Sequence, residues 1–187
     1  MPMKRLLVLV LLSALPAASG AVASLPFPRI SFMSSLQPAA LRRHYEQAAA
    51  DKQAGEKFYN LLRDYAGQDA LVLGYKAASE AIKARDASML NKLTYVQQAA
   101  KTFDQAVSLD SDNAEIRFLR FSVESNLPPF LGLSKHVDED KAFLLQAALQ
   151  HPESGMDAQA FQTVRGFLVD RKHVSDDDAQ RLARVKS

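Results

Sequence analysis

The residues best suited to chemistry form a polar stripe along a segment whose apolar residues repeat with helical spacing. The stripe consists of Asn113, Arg117, Arg120 and Glu124, which follow one another at intervals of four, three and four residues. These intervals place all four side chains on one face of a helix. Because guanidinium groups form paired hydrogen bonds with carboxylates and phosphates, the stripe could bind an anion or an acidic peptide. Tyr75, Lys92 and Tyr95 are candidates to complete such a pocket.

The arginines of the stripe also have a purely structural interpretation. Arg120 and Glu124 lie four residues apart, which is the spacing of an ion pair on one helix face. Arg117 could bridge to a carboxylate of the next predicted helix, with Asp138 and Asp140 as candidates. Ion pairs of this kind are common inside helical arrays, and we therefore favour the structural network over the binding pocket.

No other pattern in the sequence indicates catalysis or metal binding. The four histidines lie in separate segments, at His44, His136, His151 and His173. Metal sites need ligands that converge, and the chain contains neither histidines paired at helical spacing nor any cysteine. The phosphate-binding glycine loops and the serine motif of hydrolases are absent as well. We therefore expect a non-catalytic protein with no metal and no cofactor.

The first 23 residues are typical of a secretory signal peptide. Two basic residues precede the apolar run Leu6–Leu15, and small residues follow as far as Ala23. The run is about half as long as the ~20 residues that a membrane-spanning helix needs. We expect cleavage after Ala23, with Gly20 and Ala21 as rival sites, and export to the periplasm or the medium. No later segment is apolar enough to span a membrane.

The processed chain is expected to consist of an extended leader over residues 24–37 and a single domain over residues 38–187. Without Lys4 and Arg5 it has 21 basic and 21 acidic residues, so its net charge is zero. Binding to nucleic acid needs a concentrated basic surface, and we expect no such partner. Because the chain has no cysteine, its stability must come from packing alone.

The strong periodicities from Pro38 onwards are all helical and predict an all-α fold of about seven helices, with a short one after Ser175. One central helix of about five turns should carry a continuous apolar stripe formed by Met89, Leu93, Val96, Ala100, Phe103 and Val107. The next one lies between the turn-forming residues 110–113 and the stop at residues 128–129. It is apolar on two faces and should pack between neighbours, with Phe118 and Phe121 in the core.

Part of this helix pair resembles a tetratricopeptide repeat. The residues that carry the resemblance are Ala99, Phe103, Ala106 and Leu109, followed by the turn from Asp110 to Glu115. They are similar to the second helix of one repeat running into the next, with Ser111 where the family usually has proline. About 34 residues earlier, Lys83 and Asp86 stand where the pattern needs large apolar residues. The resemblance therefore implies an irregular tetratricopeptide-like array.

A second resemblance covers roughly residues 70–145. It is carried by the segments Leu73–Ala77, Asn91–Leu93, Ala114–Phe121, Ser125–Pro128, Phe130–Gly132 and Asp140–Phe143, in this order. The order resembles a family of small, exported, all-helical bacterial proteins of unknown function. The resemblance implies the architecture described above and no activity.

Because no motif indicates an activity, the expected function rests on the predicted architecture alone. The leading hypothesis is a non-catalytic exported helical interaction module that binds a protein or peptide in the cell envelope. The alternative is a small-molecule or anion-binding protein, or a cryptic hydrolase, built around Arg117 and Arg120. A pocket that brings Tyr75, Lys92 and Arg120 together would favour the alternative. An open groove, with both arginines bound to carboxylates, would favour the interaction module.

The signal-peptide interpretation predicts the start of the mature protein. Intact mass measurement of protein recovered from the producing cell should give a chain that begins at or near Ser24, because the small residues before it suit a signal peptidase. Recovery of secreted protein that still carries residues 1–15 would contradict this interpretation.

Overall fold

The computed structural model describes residues 34–186, and these contain helices and no strand. The helices are α1 Pro38–Ala50, α2 Lys52–Leu62, α3 Ala70–Asp86, α4 Met89–Leu109, α5 Ala114–Glu124, α6 Val137–Leu149, α7 Ala158–Asp170 and α8 Asp176–Ala183, with a short 3-10 helix at Pro129–Leu131. The all-α class predicted from the sequence is confirmed. The predicted signal peptide and residues 24–33 of the predicted leader lie outside the described residues. At the end of that leader, Ser34 and Ser35 have helical backbone and Gln37 N–H donates to Ser34 O at 3.4 Å.

Local capping explains where most of these helices begin. The N-cap carboxylates Asp51, Asp69 and Asp157 each accept the backbone N–H three residues further on, at 2.7, 3.0 and 2.8 Å. Asn113 caps α5 in the same way, through two backbone N–H groups, and Ser175 caps α8. The turn-forming residues of the sequence therefore mark the true starts of these helices.

Helix α3 lies at the centre of the first half of the fold and packs against α1, α2, α4 and α5. Its small residues allow this crowding, since Ala77 and Ala78 are fully buried. At Gly74 a Cβ atom would lie 3.4 Å from the side chain of Ile116, so side chains of α5 pack directly on this part of α3. Arg85, near the end of α3, donates to the carbonyl of Ala49 at the end of α1 at 2.8 Å. The helices α1 and α3 therefore run in the same direction.

Two hydrophobic cores meet at α5. Leu119 belongs to the core formed mainly by α1, α2 and α3, whereas Phe118 and Phe121 belong to the core formed with α6, α7 and α8. Both phenylalanines are buried, which confirms their predicted core positions. Their rings contact Phe167 of α7 edge-on, with centroids 5.4 and 5.7 Å apart. The prediction that α5 is packed between neighbours is confirmed.

The apolar stripe lies on α4 as predicted, but only its second half is buried. Met89 and Leu93 are 83% and 46% exposed, whereas Phe103 is buried. The physical reason is length: α4 has 21 residues and its hairpin partner α5 has 11. The first turns of α4 therefore extend beyond α5 and carry their apolar side chains into solvent. The irregular repeat array implied by the tetratricopeptide resemblance stays a prediction.

A carboxyl group is buried between α3 and α4. Glu80 is fully buried, and its Oε1 accepts from Gln98 Nε2 at 3.0 Å, while its Oε2 has no hydrogen-bond donor. Burial raises the pKa of Glu80 above its ordinary value, although Thr102 and the charge of Lys76 partly oppose this shift. The folded protein therefore holds the proton of the Glu80 carboxyl group more tightly than the unfolded chain does.

Glu80→Gln should stabilise the fold at pH 7. An acid whose folded pKa is raised keeps its proton longer in the folded state, so wild-type stability falls as pH rises from the ordinary value of 4.5 to the folded pKa. The advantage of the variant should therefore grow over that interval and vanish below it. Urea unfolding at a series of pH values measures this difference.

Glu56→Gln, at an exposed carboxylate paired with Lys83, is the control and should show no such gain. A Glu80→Gln protein that is less stable than wild type at pH 7 would contradict the interpretation.

Candidate functional site

The two arginines of the predicted stripe converge on a single buried carboxylate. Arg117 Nη1 lies 2.9 Å from Asp140 Oδ1, and Arg120 donates from Nε and Nη2 to Asp140 at 2.7 and 2.8 Å. All three residues are buried, and Asp140 is fully so. Of the two carboxylates proposed as partners of Arg117, Asp140 is therefore the correct one. The cluster joins α5 to the first turn of α6.

Both arginines also make contacts beyond Asp140. Arg117 Nε donates to the carbonyl of Ser111 at 2.8 Å, and its Nη1 pairs with Glu139. Arg120 Nη1 lies 3.7 Å from Asp104 of α4. Both guanidinium forks are thus directed at groups of the protein itself. An incoming anion would have to displace Asp140 from the interior, where an unpaired carboxylate is strongly disfavoured.

Glu124, the fourth residue of the stripe, serves a different contact, and the pair that it was predicted to form with Arg120 is wrong. Its carboxylate accepts the backbone N–H of His136 at 2.8 Å and lies 2.9 Å from the Nδ1 of the same residue. The pair with Arg120 does not form because Asp140 accepts the arginine fork with both oxygens. Glu124 instead holds the connection between α5 and α6 against α5.

The other predicted site residues lie apart from this cluster. Tyr75 is buried on α3, and its hydroxyl donates to Glu115 Oε1 at 2.5 Å. Burial, together with the charge of Glu115, raises the pKa of Tyr75, so it remains a donor. Lys92 is exposed on the first turns of α4, and Tyr95 packs edge-on against Tyr59 at 5.7 Å. Tyr75, Lys92 and Arg120 therefore do not form one pocket.

The structure contains instead a groove between α1 and α7, which we call the α1–α7 groove. Its volume is about 230 Å³ and its floor is formed by α5. It is lined by Arg42, Tyr45, Glu46, Tyr75, Glu115, Phe118, Leu119, Ser122, Gln159, Ala160, Thr163, Val164 and Phe167. Apolar side chains form the floor and much of the α7 wall, and polar groups stand at the rim. Such a surface suits an amphipathic ligand.

Arg42 joins the two walls at one end of the groove. It forms two hydrogen bonds to Glu115, at 2.8 Å from Nε and 2.5 Å from Nη2. The same Nη2 lies 2.7 Å from Asp157, the N-cap of α7, and Nη1 lies 3.4 Å from Gln159. Among the described residues, all polar links between α1 and α7 run through this guanidinium. Further along the groove, Tyr45 and Ser122 share a hydrogen bond of 3.3 Å.

The Arg42 end of the groove is acidic. A second cavity of about 300 Å³ adjoins it, and the charged residues that line this cavity are Arg42, Asp110, Asp112, Glu115 and Asp157. Burial acts to raise the pKa of Asp157, but hydrogen bonds from the Ala160 N–H and from Arg42 outweigh it, so the pKa is lowered. Four carboxylates and one guanidinium thus line this cavity, and two of the carboxylates, Glu115 and Asp157, contact Arg42. The groove can hold an apolar side chain and place a cation beside it.

The residues that line this groove were not predictable from the sequence. Arg42 and Glu115 are separated by 73 residues, and Arg42 and Gln159 by 117. No periodic pattern connects positions so far apart. The turn containing Asp110 and Asp112 was visible in the sequence, but nothing indicated that it lies beside Asp157.

Three further findings concern the described residues and the comparisons with other proteins. Within residues 34–186, no group of three or more side chains is placed to bind a metal ion, and no helix is long and apolar enough to cross a membrane. No protein-family model, curated protein or solved structure matches this chain. The two family resemblances proposed from the sequence therefore remain predictions.

Arg120→Gln should lower the free energy of unfolding by about 3–5 kcal/mol, because it removes a partner from a buried ion pair. Chemical denaturation measures the change. Arg181→Gln is the control, since Arg181 forms an exposed pair with Asp178 and should cost no more than ~1 kcal/mol. Equal stability of the Arg120→Gln and wild-type proteins would show that the cluster does not stabilise the fold.

Proposed function

We propose that this protein is a non-catalytic exported interaction module that binds a peptide segment of a cell-envelope protein in the α1–α7 groove. The observation that carries the proposal is the open cleft with an apolar floor on α5 and an acidic end at Arg42. The signal-like start of the sequence supports export. Peptide grooves commonly take apolar anchors from the partner and fix their orientation through a few polar contacts.

The chemistry of the groove defines the partner. The half-buried Phe167 and the edge of Phe118 offer apolar surface for one or two large side chains of the partner. The carboxylates at the acidic end favour a lysine or arginine next to those side chains, and they disfavour an acidic segment. The expected ligand is therefore a short segment with apolar residues flanking a basic one.

The contacts give less support to the alternative, in which Arg117 and Arg120 bind an anion or assist a hydrolase. Arg120 donates to Asp140 from two nitrogens, and Arg117 donates to Asp140 and to the carbonyl of Ser111. The residues that line the groove include a serine, Ser122, but no histidine. Ser122 Oγ donates to the carbonyl of Leu119 at 2.8 Å, and an activated serine needs a neighbouring general base. Binding without catalysis is the better match to this set of groups.

Asp157→Asn should weaken binding of a basic peptide by roughly two- to fivefold, which is the effect of losing one partly exposed charge contact. Asparagine caps a helix as well as aspartate does, so α7 should keep its start. The probe is a fluorescein-labelled peptide selected from a random display library on the processed chain, and anisotropy measures its affinity. Asp51→Asn is the matched control, because Asp51 caps α2 in the same way and does not line the groove.

A second pair of variants tests the location of binding. Thr163 is exposed on the α7 wall, and Thr163→Trp should obstruct the groove without disturbing the core. Thr94→Trp places the same side chain on the exposed start of α4 and should leave affinity unchanged. Equal binding by both tryptophan variants would mean that peptides bind elsewhere, and the proposal would then be wrong.

A further inference from the structure

We infer that the start of α4 is a docking surface for an anionic lipid membrane. Its apolar side chains, Met89, Leu90 and Leu93, enter the lipid, while Lys92 pairs with lipid phosphates at the surface. We call these four residues the α4 tip. None of them lines the α1–α7 groove, so the inference is independent of the proposed peptide binding.

Exposed apolar surface is concentrated at the α4 tip. Leu90 is 90% exposed, and Met89 and Leu93 are 83% and 46% exposed. Among residues 34–186, the exposed large apolar side chains are these three, Leu109 and Phe130. A single exposed apolar residue is normal in a soluble domain. Three within the first five residues of α4 form a patch, and such patches mark binding surfaces.

The tip also projects from the fold. Every residue from Ser88 to Thr94 is exposed, because α5 is too short to cover this part of α4. Helical spacing spreads the three apolar side chains over an arc of about 100°. Lipid chains rearrange around a projecting surface of this kind, so a few apolar side chains are enough for insertion at the interface.

The carboxylates on the helices beside the tip are neutralised. Asp86, at the end of α3, is paired with Arg85 at 2.8 Å, and Glu56 of α2 is paired with Lys83 at 2.6 Å. Lys92 is exposed and has no ion pair with any residue that the structure describes. Its charge is therefore available to a lipid phosphate.

The two ends of α4 differ in charge, and this difference sets the orientation on a membrane. Residues 87–103 include two lysines and no acidic residue. The opposite end of the helix leads into Asp110 and Asp112. An anionic surface therefore attracts the start of α4 and repels its end. The helix approaches the membrane by its apolar, basic tip.

A second copy of the chain fits the tip less well than a lipid surface does. Stable interfaces bury about 800 Å² on each partner and use about 20–30 residues a side, whereas the tip offers three apolar side chains. A symmetric contact between two tips would also bring both copies of Lys92 into one small interface, where like charges repel. Area and charge therefore both favour lipid.

Vesicle flotation tests the inference with the processed chain, residues 24–187. The chain should float with vesicles of equimolar phosphatidylglycerol and phosphatidylcholine, and binding to pure phosphatidylcholine should be weaker. Leu90→Gln should lower the affinity for the anionic vesicles by about tenfold or more, because it removes a side chain that becomes buried in lipid. Leu109→Gln is the matched control: Leu109 is 47% exposed at the far end of the same helix, and this variant should bind like wild type.

The charge contribution is measured separately. Lys92→Gln should weaken binding to the anionic vesicles roughly fivefold and leave binding to pure phosphatidylcholine unchanged. Lys186→Gln removes the same charge from an exposed position beyond α8 and should have no effect on either. Because Lys92 and Leu90 are exposed, thermal unfolding of both tip variants should match wild type.

Tryptophan fluorescence locates the inserted residues. The chain has no tryptophan, so Leu90→Trp provides a single reporter at the tip. With anionic vesicles its emission should shift to shorter wavelength and should be quenched by lipids that carry bromine on their acyl chains. Leu109→Trp lies about 28 Å further along the helix and should show neither effect.

Each other result would overturn the inference. Absence of flotation with anionic vesicles rejects it, and equal flotation of the Leu90→Gln and wild-type proteins means that another part of the chain contacts lipid. Flotation of Leu90→Trp without quenching means that the tip does not insert. A dimer in sedimentation equilibrium that Leu90→Gln abolishes, without flotation, assigns the tip to a contact between copies. None of these results affects the proposed function, because binding of the selected peptide is measured without lipid.

Discussion

The structure depends on the burial of one carboxylate, that of Asp140, between two arginines. Asp140 has no exposed surface, and an unpaired charge in that place would cost several kcal/mol. Arg117 and Arg120 can satisfy it only when the first turn of α6 lies against α5. Because α6 packs against α7 and α8, this requirement also sets the position of α7. The far wall of the α1–α7 groove is therefore positioned by an ion cluster that does not line the groove.

Helix α5 transmits that constraint, because it has no free face. Eight of its 11 residues are buried, including two arginines and a glutamate, so sliding or rotating the helix would break contacts on every side. Leu119 holds it to the first core and Phe121 to the second. Glu115, at its start, receives hydrogen bonds from Arg42 of α1 and Tyr75 of α3. The floor of the groove is thus the most constrained element of the fold.

The sequence predicted the features that depend on neighbouring residues and missed those that depend on distant ones. The starts of α5 and α8 were predictable because Asn113 and Ser175 cap them locally, and the two apolar faces of α5 were visible in its spacing. The partner of Arg120 was missed, since the local candidate at i+4 competes with a carboxylate 20 residues away. The exposed start of α4 was missed because it follows from the shorter length of its partner helix. A groove was expected in general terms, but its location and lining residues were not predicted, because its walls meet only in the folded chain.

The two sides of the Arg42 contact differ in strength, and this determines how the groove can open. The hydrogen bonds from Arg42 to Glu115 are paired and partly buried, with 17% and 15% of the two side chains exposed. The contact to Asp157 is single, and that side chain is 54% exposed, so solvent screens it. Breaking the contact to Asp157 therefore costs less than breaking the pair with Glu115. The groove widens most easily by a displacement of the start of α7, while α1 stays fixed to α5 and keeps the acidic end in place for an incoming basic residue.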